Sequence, residues 1–161
     1  MSSSLNIRPA KPSDLEKIKE LNQKLFAKEF NDFDKTLDCN WPQTDKATNY
    51  FRERIEGKGG CAFVAEADGL VVGYLVGGLS RESYPRLLEG GLGELENMFV
   101  EKEFRSQGLG KKLVDSFIAW CRENKIKRIR VVASAGNELG LNFYHREGFF
   151  DWEMILEREI K

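Results

Sequence analysis

The 161-residue sequence predicts a single mixed α/β layer domain spanning residues 1–161, and three observations carry that prediction. Segments with a two-residue apolar period alternate with segments of helical period in the order β-α-α-β-β-β-α-β-α-β. Two long strand patterns, Cys61–Ala67 and Leu70–Leu79, are joined by Asp68-Gly69, a dipeptide suited to a two-residue hairpin turn. A further strand pattern, Glu94–Val100, leads through the polar stretch Glu101–Phe104 into a glycine-bearing loop and then a helix. The length suffices for one sizeable core, and no repeat, low-complexity tract or linker divides it.

Each element has its own local reason. Leu5-Asn6-Ile7-Arg8 alternates and stops at Pro9, as a short strand does. Pro12-Ser13-Asp14 opens a helix whose apolar stripe is Leu15, Ile18, Leu21, Leu25 and Phe26. Asn31–Thr44 is polar and irregular, with Asp32, Asp34 and Asp38 among Phe33, Leu37 and Trp41. It reads either as a surface loop anchored by its aromatic residues or as an acidic, aromatic-lined lid over a cationic amine. Thr44-Asp45 caps a second helix carrying Ala47, Tyr50, Phe51 and Ile55, which ends near Gly57–Gly60. Ser80–Gly91 is a loop containing Tyr84-Pro85 and Gly90-Gly91. In Glu94–Val100 the alternation places Glu94, Glu96, Met98 and Val100 on one face and Leu95, Asn97 and Phe99 on the other. The next helix repeats Leu109, Leu113, Phe117, Ile118 and Cys121, and Trp120 reads as core beside it. Lys127–Ser134 is a strand around Ile129, Val131 and Val132. Asn137–Glu147 is a short helix with an asparagine cap and a closing Gly148. Phe149–Glu159 completes the pattern as a last strand, with Trp152 in the core.

Composition excludes several classes of function. Lys plus Arg is 25 against Asp plus Glu at 26, so no excess of positive charge points to nucleic acid. No apolar run reaches the length of a membrane span, and Met1-Ser2-Ser3-Ser4 lacks the basic and apolar regions of a secretory signal. Cys39, Cys61 and Cys121 are odd in number and have no C-x-x-C spacing, which suits thiols in a reducing cytoplasm rather than a disulfide frame.

Arg105-Ser106-Gln107-Gly108-Leu109-Gly110 is where chemistry concentrates. The first N–H groups of a helix have no intrahelical acceptor, and the macrodipole adds partial positive charge there. Two glycines let an oxygen-rich ligand approach the backbone, and Arg105 and Lys111 add full charge. The spacing matches neither the P-loop nor the dinucleotide fingerprint. It resembles R/Q-x-x-G-x-G/A, the signature of the GNAT superfamily of acetyl-CoA-dependent N-acetyltransferases, with Arg105, Gly108 and Gly110 in its fixed positions. A second stretch, Asn137 to Phe149, resembles that superfamily's N-x-x-A-x-x-F-Y-x-x-x-G-F, with Gly140 in place of the customary alanine. Ile7-Arg8-Pro9-Ala10 is similar to the family's opening strand, so the likeness covers nearly the whole chain and is weakest over Asn31–Gly60.

The resemblance implies a central mixed, mostly antiparallel sheet whose two middle strands splay apart, with helices on both faces. It implies acetyl-CoA as co-substrate. Backbone groups of Met98, Phe99 and Val100 would pair with its pantetheine arm. The stretch Arg105, Ser106, Gln107, Gly108, Leu109, Gly110 and Lys111 would hold its diphosphate, and Asn137 and Asn142 would line its groove. Tyr144 would point at the thioester sulfur and return a proton to the leaving thiolate. Glu96 looks like the glutamate of small-amine and polyamine acetyltransferases, and Glu94 like that of lysine-acetylating members; either would be the base, and each has the plainer reading of an ion-pair partner.

These residue types fit amine acetylation. An alkyl amine with a pKa near 10.4 is a free nucleophile in only about one molecule in a thousand at neutral pH, so a carboxylate is needed to take its proton. A backbone N–H near Met98 would stabilise the oxyanion. The chemistry requires no metal. Glu94, Asp34 and Trp41 are the candidate acceptor contacts, and the expected partner is a small-molecule amine, with a homodimer left open. A protein or peptide N-acetyltransferase and a non-catalytic CoA-binding sensor are the alternatives. His145, the only histidine, is expected at the surface.

Overall fold

A computed structural model describes residues 4–81, 86 and 88–160; Tyr84 and Pro85 of the predicted loop lie outside the described residues. Among these, the strands are β1 (Leu5–Pro9), β2 (Gly60–Ala67), β3 (Leu70–Leu79), β4 (Leu92–Val100) and β5 (Arg128–Val131). The helices are α1 (Leu15–Asp32), α2 (Asp45–Ile55), α3 (Leu109–Glu123) and α4 (Glu138–Arg146). The sheet runs β1-β2-β3-β4-β5; its first three pairings are antiparallel and β4–β5 is parallel. Asp68 and Gly69 turn the β2–β3 hairpin with φ of 49° and 81°, the left-handed pair such a turn requires. Thr44 caps α2 as expected, its hydroxyl accepting from the Ala47 N–H at 3.2 Å.

The two faces of the sheet carry separate cores. On one, Leu109, Leu113, Val114, Phe117 and Cys121 of α3 pack on Ala65, Leu75 and Leu95. On the other, Ile18 and Leu21 of α1 and Ala47 and Phe51 of α2 pack on Val64, Tyr74 and Val76. This is the predicted arrangement of helices on both faces.

Two features of the sheet position the site. β4 and β5 pair only from Leu92↔Arg128 to Leu95↔Val131, so beyond Leu95 the edge of β4 that faces β5 carries no strand partner. Toward β3 the register jumps from Leu95↔Gly77 to Asn97↔Val76, which makes Glu96 an extra residue, a β-bulge. The bulge corrects the simple alternation expected of this strand. Leu95, Met98 and Val100 border the α3 core, whereas Glu96, Asn97 and Phe99 meet residues of the α1/α2 side. An inserted residue turns two consecutive side chains to the same face, and no period-2 pattern shows that.

The C-terminal stretch is the other correction. Phe149 packs against the α3 core, but residues 150–160 form no strand and every one of them is exposed. Trp152, expected in the core, is 58% exposed. The alternation is present in the sequence, yet no strand among the described residues pairs with it.

Candidate active site

The open edge of β4 offers its backbone. The Glu101 N–H donates to Val72 O, so in this antiparallel register Phe99 and Asn97 carry the bonds to β3, and the backbone groups of Met98 and Val100 face the other way. Val100 O confirms the direction, since it accepts from Arg105 Nε at 2.8 Å. Arg105 also lies over the Phe99 ring, 5.2 Å from its centroid. The loop that follows has two left-handed residues, Ser106 (φ 60°) and Gly108 (φ 80°). Such turns direct successive N–H groups to one side. The helical bond from Lys112 N to Gly108 O closes the first turn of α3, leaving the N–H groups of Leu109, Gly110 and Lys111 without intrahelical acceptors. No atom lies within 4 Å of where a Cβ on Gly108 would sit, while at Gly110 a Cβ would meet the Phe143 ring at 3.3 Å. Gly108 thus provides conformation and open space, and Gly110 provides close packing of α3 on α4.

Tyr144 stands on α4. It packs edge-on against Phe143 and Phe149, with ring centroids 5.2 and 5.5 Å away. It borders the same core as Met98 and Val100. Burial, and to a smaller extent the Glu29 carboxylate, pushes its hydroxyl up to about 12. The hydroxyl is therefore protonated at neutral pH. Glu29, from the last turns of α1, also accepts from Ser134 Oγ at 3.2 Å, and Phe33 lies against Gly136. The end of α1 is thereby fastened to the segment after β5.

On the other face the bulge presents Glu96 to α2. Its carboxylate accepts from Tyr50 Oη at 2.6 Å and Arg54 Nε at 2.7 Å on one oxygen, and from Arg54 Nη2 on the other. Arg54 is 2% exposed, also donates to Lys58 O, and is held more firmly protonated, chiefly by its hydrogen bond to Glu96. The chain of bonds continues through Asn97 Nδ2 to Tyr50 Oη (3.1 Å), Tyr74 Oη to Asn97 Oδ1 (2.7 Å) and Asn22 Nδ2 to Tyr74 Oη (2.8 Å). The polar strip thus ties α1, β3, β4 and α2 together on this face of the sheet. Of roughly four lone-pair sites on a carboxylate, one on Glu96 Oε1 is left for a further partner.

The sequence profile of the Acetyltransferase (GNAT) family matches residues 16–149. The chain belongs to this family. It is 25% identical over 149 residues, 92% of its length, to an uncharacterised N-acetyltransferase of Methanocaldococcus jannaschii, and it spans 62% of that relative's length. Among solved structures, a Bacillus halodurans protein superposes with a TM-score of 0.82 at 17% identity, covering 96% of this chain and 99% of that one. An aminoglycoside N-acetyltransferase solved in complex with CoA superposes with a TM-score of 0.78 at 19% identity, covering 100% of this chain and 97% of that one. These likenesses show a shared GNAT fold.

Within that GNAT frame, the expected site residues fall into three groups. Met98 and Val100 lie on the open edge of β4, Arg105, Ser106, Gly108 and Gly110 form the loop and helix start that follow it, and Tyr144 borders the same core as Met98 and Val100. Leu109 is buried under the loop, and Gln107 is exposed, its amide donating to Glu103 O at 3.1 Å. Phe99 turns its backbone to β3. Lys111 is drawn to Asp115 (2.9 Å) and Glu147 (3.6 Å), Asn137 uses its Oδ1 to cap α4 through the Gly140 N–H at 3.0 Å, and Asn142 is exposed on α4. Of the expected acceptor contacts, Glu94 pairs with Arg130 at 3.0 Å. Trp41 stacks on Phe26 and meets Tyr50, the hydroxyl partner of Glu96, edge-on at 5.8 Å, whereas the Asp34 carboxylate folds back onto the N–H and hydroxyl of Thr36. His145 is at the surface, 2.7 Å from Asp151.

Sequence reasoning missed Tyr50 as a ligand of Glu96, and it missed Arg54 and Glu29. Arg54 left a signal: Ala47, Tyr50, Phe51 and Arg54 share one helical stripe, and a charge in a buried stripe needs a partner. Glu29 left none. The thiols of Cys61 and Cys121 are buried, and burial pushes Cys121 up to about 11, so neither is poised as a nucleophile. Among the described residues no helix is long and apolar enough to cross a membrane.

Proposed function

We propose that this chain transfers an acetyl group from acetyl-CoA to the primary amine of a small molecule, by direct attack with both substrates bound. One observation carries the reading. The β4 edge leaves β5 beyond Leu95, turns the Met98 and Val100 backbone outward, and leads through the short 3-10 turn Lys102–Phe104 into the N–H-rich Ser106–Gly110 loop. That is a continuous track for an extended amide-bearing arm ending in a diphosphate, and the open space at Gly108 fits such a group. The CoA complex of the similarly folded aminoglycoside N-acetyltransferase supports the same ligand here.

Acetyl-CoA, when bound, supplies the acetyl group as a thioester. The chain's own residues do the rest. Met98 and Val100 orient the arm through backbone bonds, and Met98 N–H is the donor available to the carbonyl oxygen. The N–H groups from Ser106 to Gly110 hold the phosphates, with Arg105 and Lys111 adding charge. Asn137 and Asn142 flank the groove from the α4 side. Tyr144, protonated at neutral pH, gives its proton to the departing sulfur. Glu96, fixed by Arg54 and Tyr50, takes the amine proton through a water at its remaining lone pair, with Glu94 as the second carboxylate. Trp41, against Tyr50, forms an apolar wall for the acceptor, and Asp34 stands further out. Free thiols at all three cysteines support a cytoplasmic setting.

The test is thiol release from acetyl-CoA with a panel of diamines, aminoglycosides, aminoacyl compounds and peptides, for the parent and for Glu96→Gln. Turnover of small amines, lowered about a hundredfold in the variant, is expected. Turnover restricted to peptides would move the acceptor to the protein class. Binding of acetyl-CoA without thiol release from any amine would make the chain a binding domain.

A further inference from the structure

Glu29 is a half-buried carboxylate with no cation beside it. Its neighbours at helical spacing on α1 are Leu25, Phe26, Asp32 and Phe33, none of them positive. Lys28, adjacent in sequence, pairs with Asp32 and lies over the Phe33 ring. Among the described residues, the one donor to Glu29 is the Ser134 hydroxyl, at 3.2 Å. Other carboxylates of this region are engaged: Glu96 by Tyr50 and Arg54, Glu94 by Arg130, Glu101 by Lys24, and Asp34 by the N–H and hydroxyl of Thr36. A carboxylate drawn partly out of water without a cation is an uncompensated charge, which a cationic ligand would compensate.

α1 fixes where such a ligand would sit. Asn22, Phe26, Glu29 and Phe33 follow one another at helical spacing and form one stripe. Asn22 donates to Tyr74 Oη, Phe26 stacks on Trp41, Glu29 meets Ser134, and Phe33 lies against Gly136. The stripe therefore runs from β3 to the segment after β5, where the chain no longer pairs with β4. At its first end is the Glu96 network: Tyr74 bonds Asn97, and Trp41 meets Tyr50, the partner of Glu96. At its other end is Tyr144, whose hydroxyl feels the Glu29 charge. From Asn22 to Glu29 the helix rises about 10 Å. One helix thus passes two carboxylates: Glu96, held by three donors, and Glu29, held by one.

We propose that Glu29 is a specificity-determining residue that receives a second, non-reacting ammonium of the acceptor, which makes the acceptor class an amine carrying two positive charges. The proposal rests on the acetyl-transfer reading, in which Glu96 takes the proton of the reacting amine and Tyr144 serves the sulfur. The two carboxylates then have different tasks. One ammonium loses its proton through Glu96 and becomes the nucleophile. The other keeps its proton and stays paired with Glu29, so Glu29 acts on binding and takes no part in bond making. Of roughly four lone-pair sites on a carboxylate, Ser134 occupies one, which leaves room for the three donors of an ammonium. A helix rise of about 10 Å, shortened by the reach of two side chains, suits charges several methylenes apart. Asp34, the contact expected from the sequence, is bonded within its own loop, and Glu29 takes that place.

The experiment compares α,ω-diaminopentane with the aminopentanol of the same length, by thiol release from acetyl-CoA, for the parent, Glu29→Gln and Ser134→Ala. Both probes are alkyl amines, so the share of free nucleophile is alike and only the far end differs. The parent is expected to favour the diamine by about ten- to a hundredfold in kcat/KM, the worth of one hydrogen bond between charged groups. Glu29→Gln keeps an oxygen for the Ser134 hydroxyl and loses the charge. Its preference should fall to about twofold, the advantage of having two amino groups, through a raised KM for the diamine. Ser134→Ala removes the fastening and keeps the charge, so its preference should match the parent's. Each preference is a ratio within one variant, so a general loss of folded protein cancels. A parent indifferent to the second charge would overturn the proposal and leave the acetyl-transfer reading standing. So would a preference that survives in Glu29→Gln, or one that Ser134→Ala abolishes equally, since position rather than charge would then decide. Thiol release with neither probe nor any other amine would overturn that reading and this proposal together.

Discussion

Replacing Arg54 with methionine tests what the polar strip between α2 and the sheet contributes. Three donors hold the Glu96 carboxylate, and two of them belong to Arg54. In Arg54→Met only Tyr50 Oη would remain, and the methionine would fill the stem's volume without replacing its charge. Removing one partner of a buried pair costs about 3–5 kcal/mol, because the other charge stays desolvated. The Glu96 side chain keeps 17% exposure, so water can reach it in part and the lower end, about 3 kcal/mol, is the better figure. For a domain of this size 1 kcal/mol moves the melting temperature by about 2–4 °C, which gives a fall of roughly 6–12 °C. Arg54→Met combined with Glu96→Leu should recover most of this, since an apolar pair often replaces a buried ion pair at little cost; Tyr50 keeps its bond from Asn97. Calorimetric melts of the two single variants and the double complete the cycle, with an expected coupling of about 2 kcal/mol. Two single effects that merely add, or an Arg54→Met melt within about 2 °C of the parent, would refute the reasoning.

Three further outcomes are expected. Gly108→Asp adds a carboxylate to the loop and forces a side chain into a left-handed position, at about 1–2 kcal/mol of strain. Since nothing crowds that Cβ, the fold should survive while CoA affinity, by titration calorimetry, drops at least about tenfold; undiminished affinity would remove the loop from the binding site. Tyr144→Phe should leave CoA affinity intact and lower turnover on the order of a hundredfold, and equal turnover at neutral pH would retire Tyr144 as the acid. In alkaline solution the groups with raised folded values, Tyr144 at about 12 and Cys121 at about 11, favour the folded state while protonated. Their contribution is complete below the unfolded values near 10 and 8.5 and is lost as pH rises through the folded ones. Melting temperatures should therefore fall between about pH 9 and 12, with tyrosinate absorbance appearing together with unfolding; Tyr144 ionising near 10 in the intact fold would contradict its burial.

Much of this molecule is written in short-range patterns. The apolar stripes of α1 and α3 fall on the residues that are most buried, Ile18, Leu21, Leu113 and Phe117, because a helix sets its inner face by a fixed angle per residue. The hairpin at Asp68-Gly69, the Thr44 and Asn137 caps and the Ser106–Gly110 loop are likewise local, since each depends on the backbone preferences of two to six neighbouring residues. Those local signals sufficed to place the family and to outline the loop-side half of the candidate site.

The other half was decided by contacts between distant segments. Glu96 meets Tyr50 and Arg54 across more than forty residues of chain, and it turns toward them only because the β4 bulge rotates it there. A bulge depends on how two strands share their bonds, so neither strand shows it alone. The same holds for Glu29, which reaches Ser134 and Tyr144 only when α1 has packed across the sheet. At the C-terminus the alternation from Phe150 to Glu159 specified a strand, but a strand is completed by a neighbouring edge, and the folded chain does not bring its own edge to it. Periodicity determines which side of an element is apolar; which partner covers that side is settled only by the tertiary arrangement.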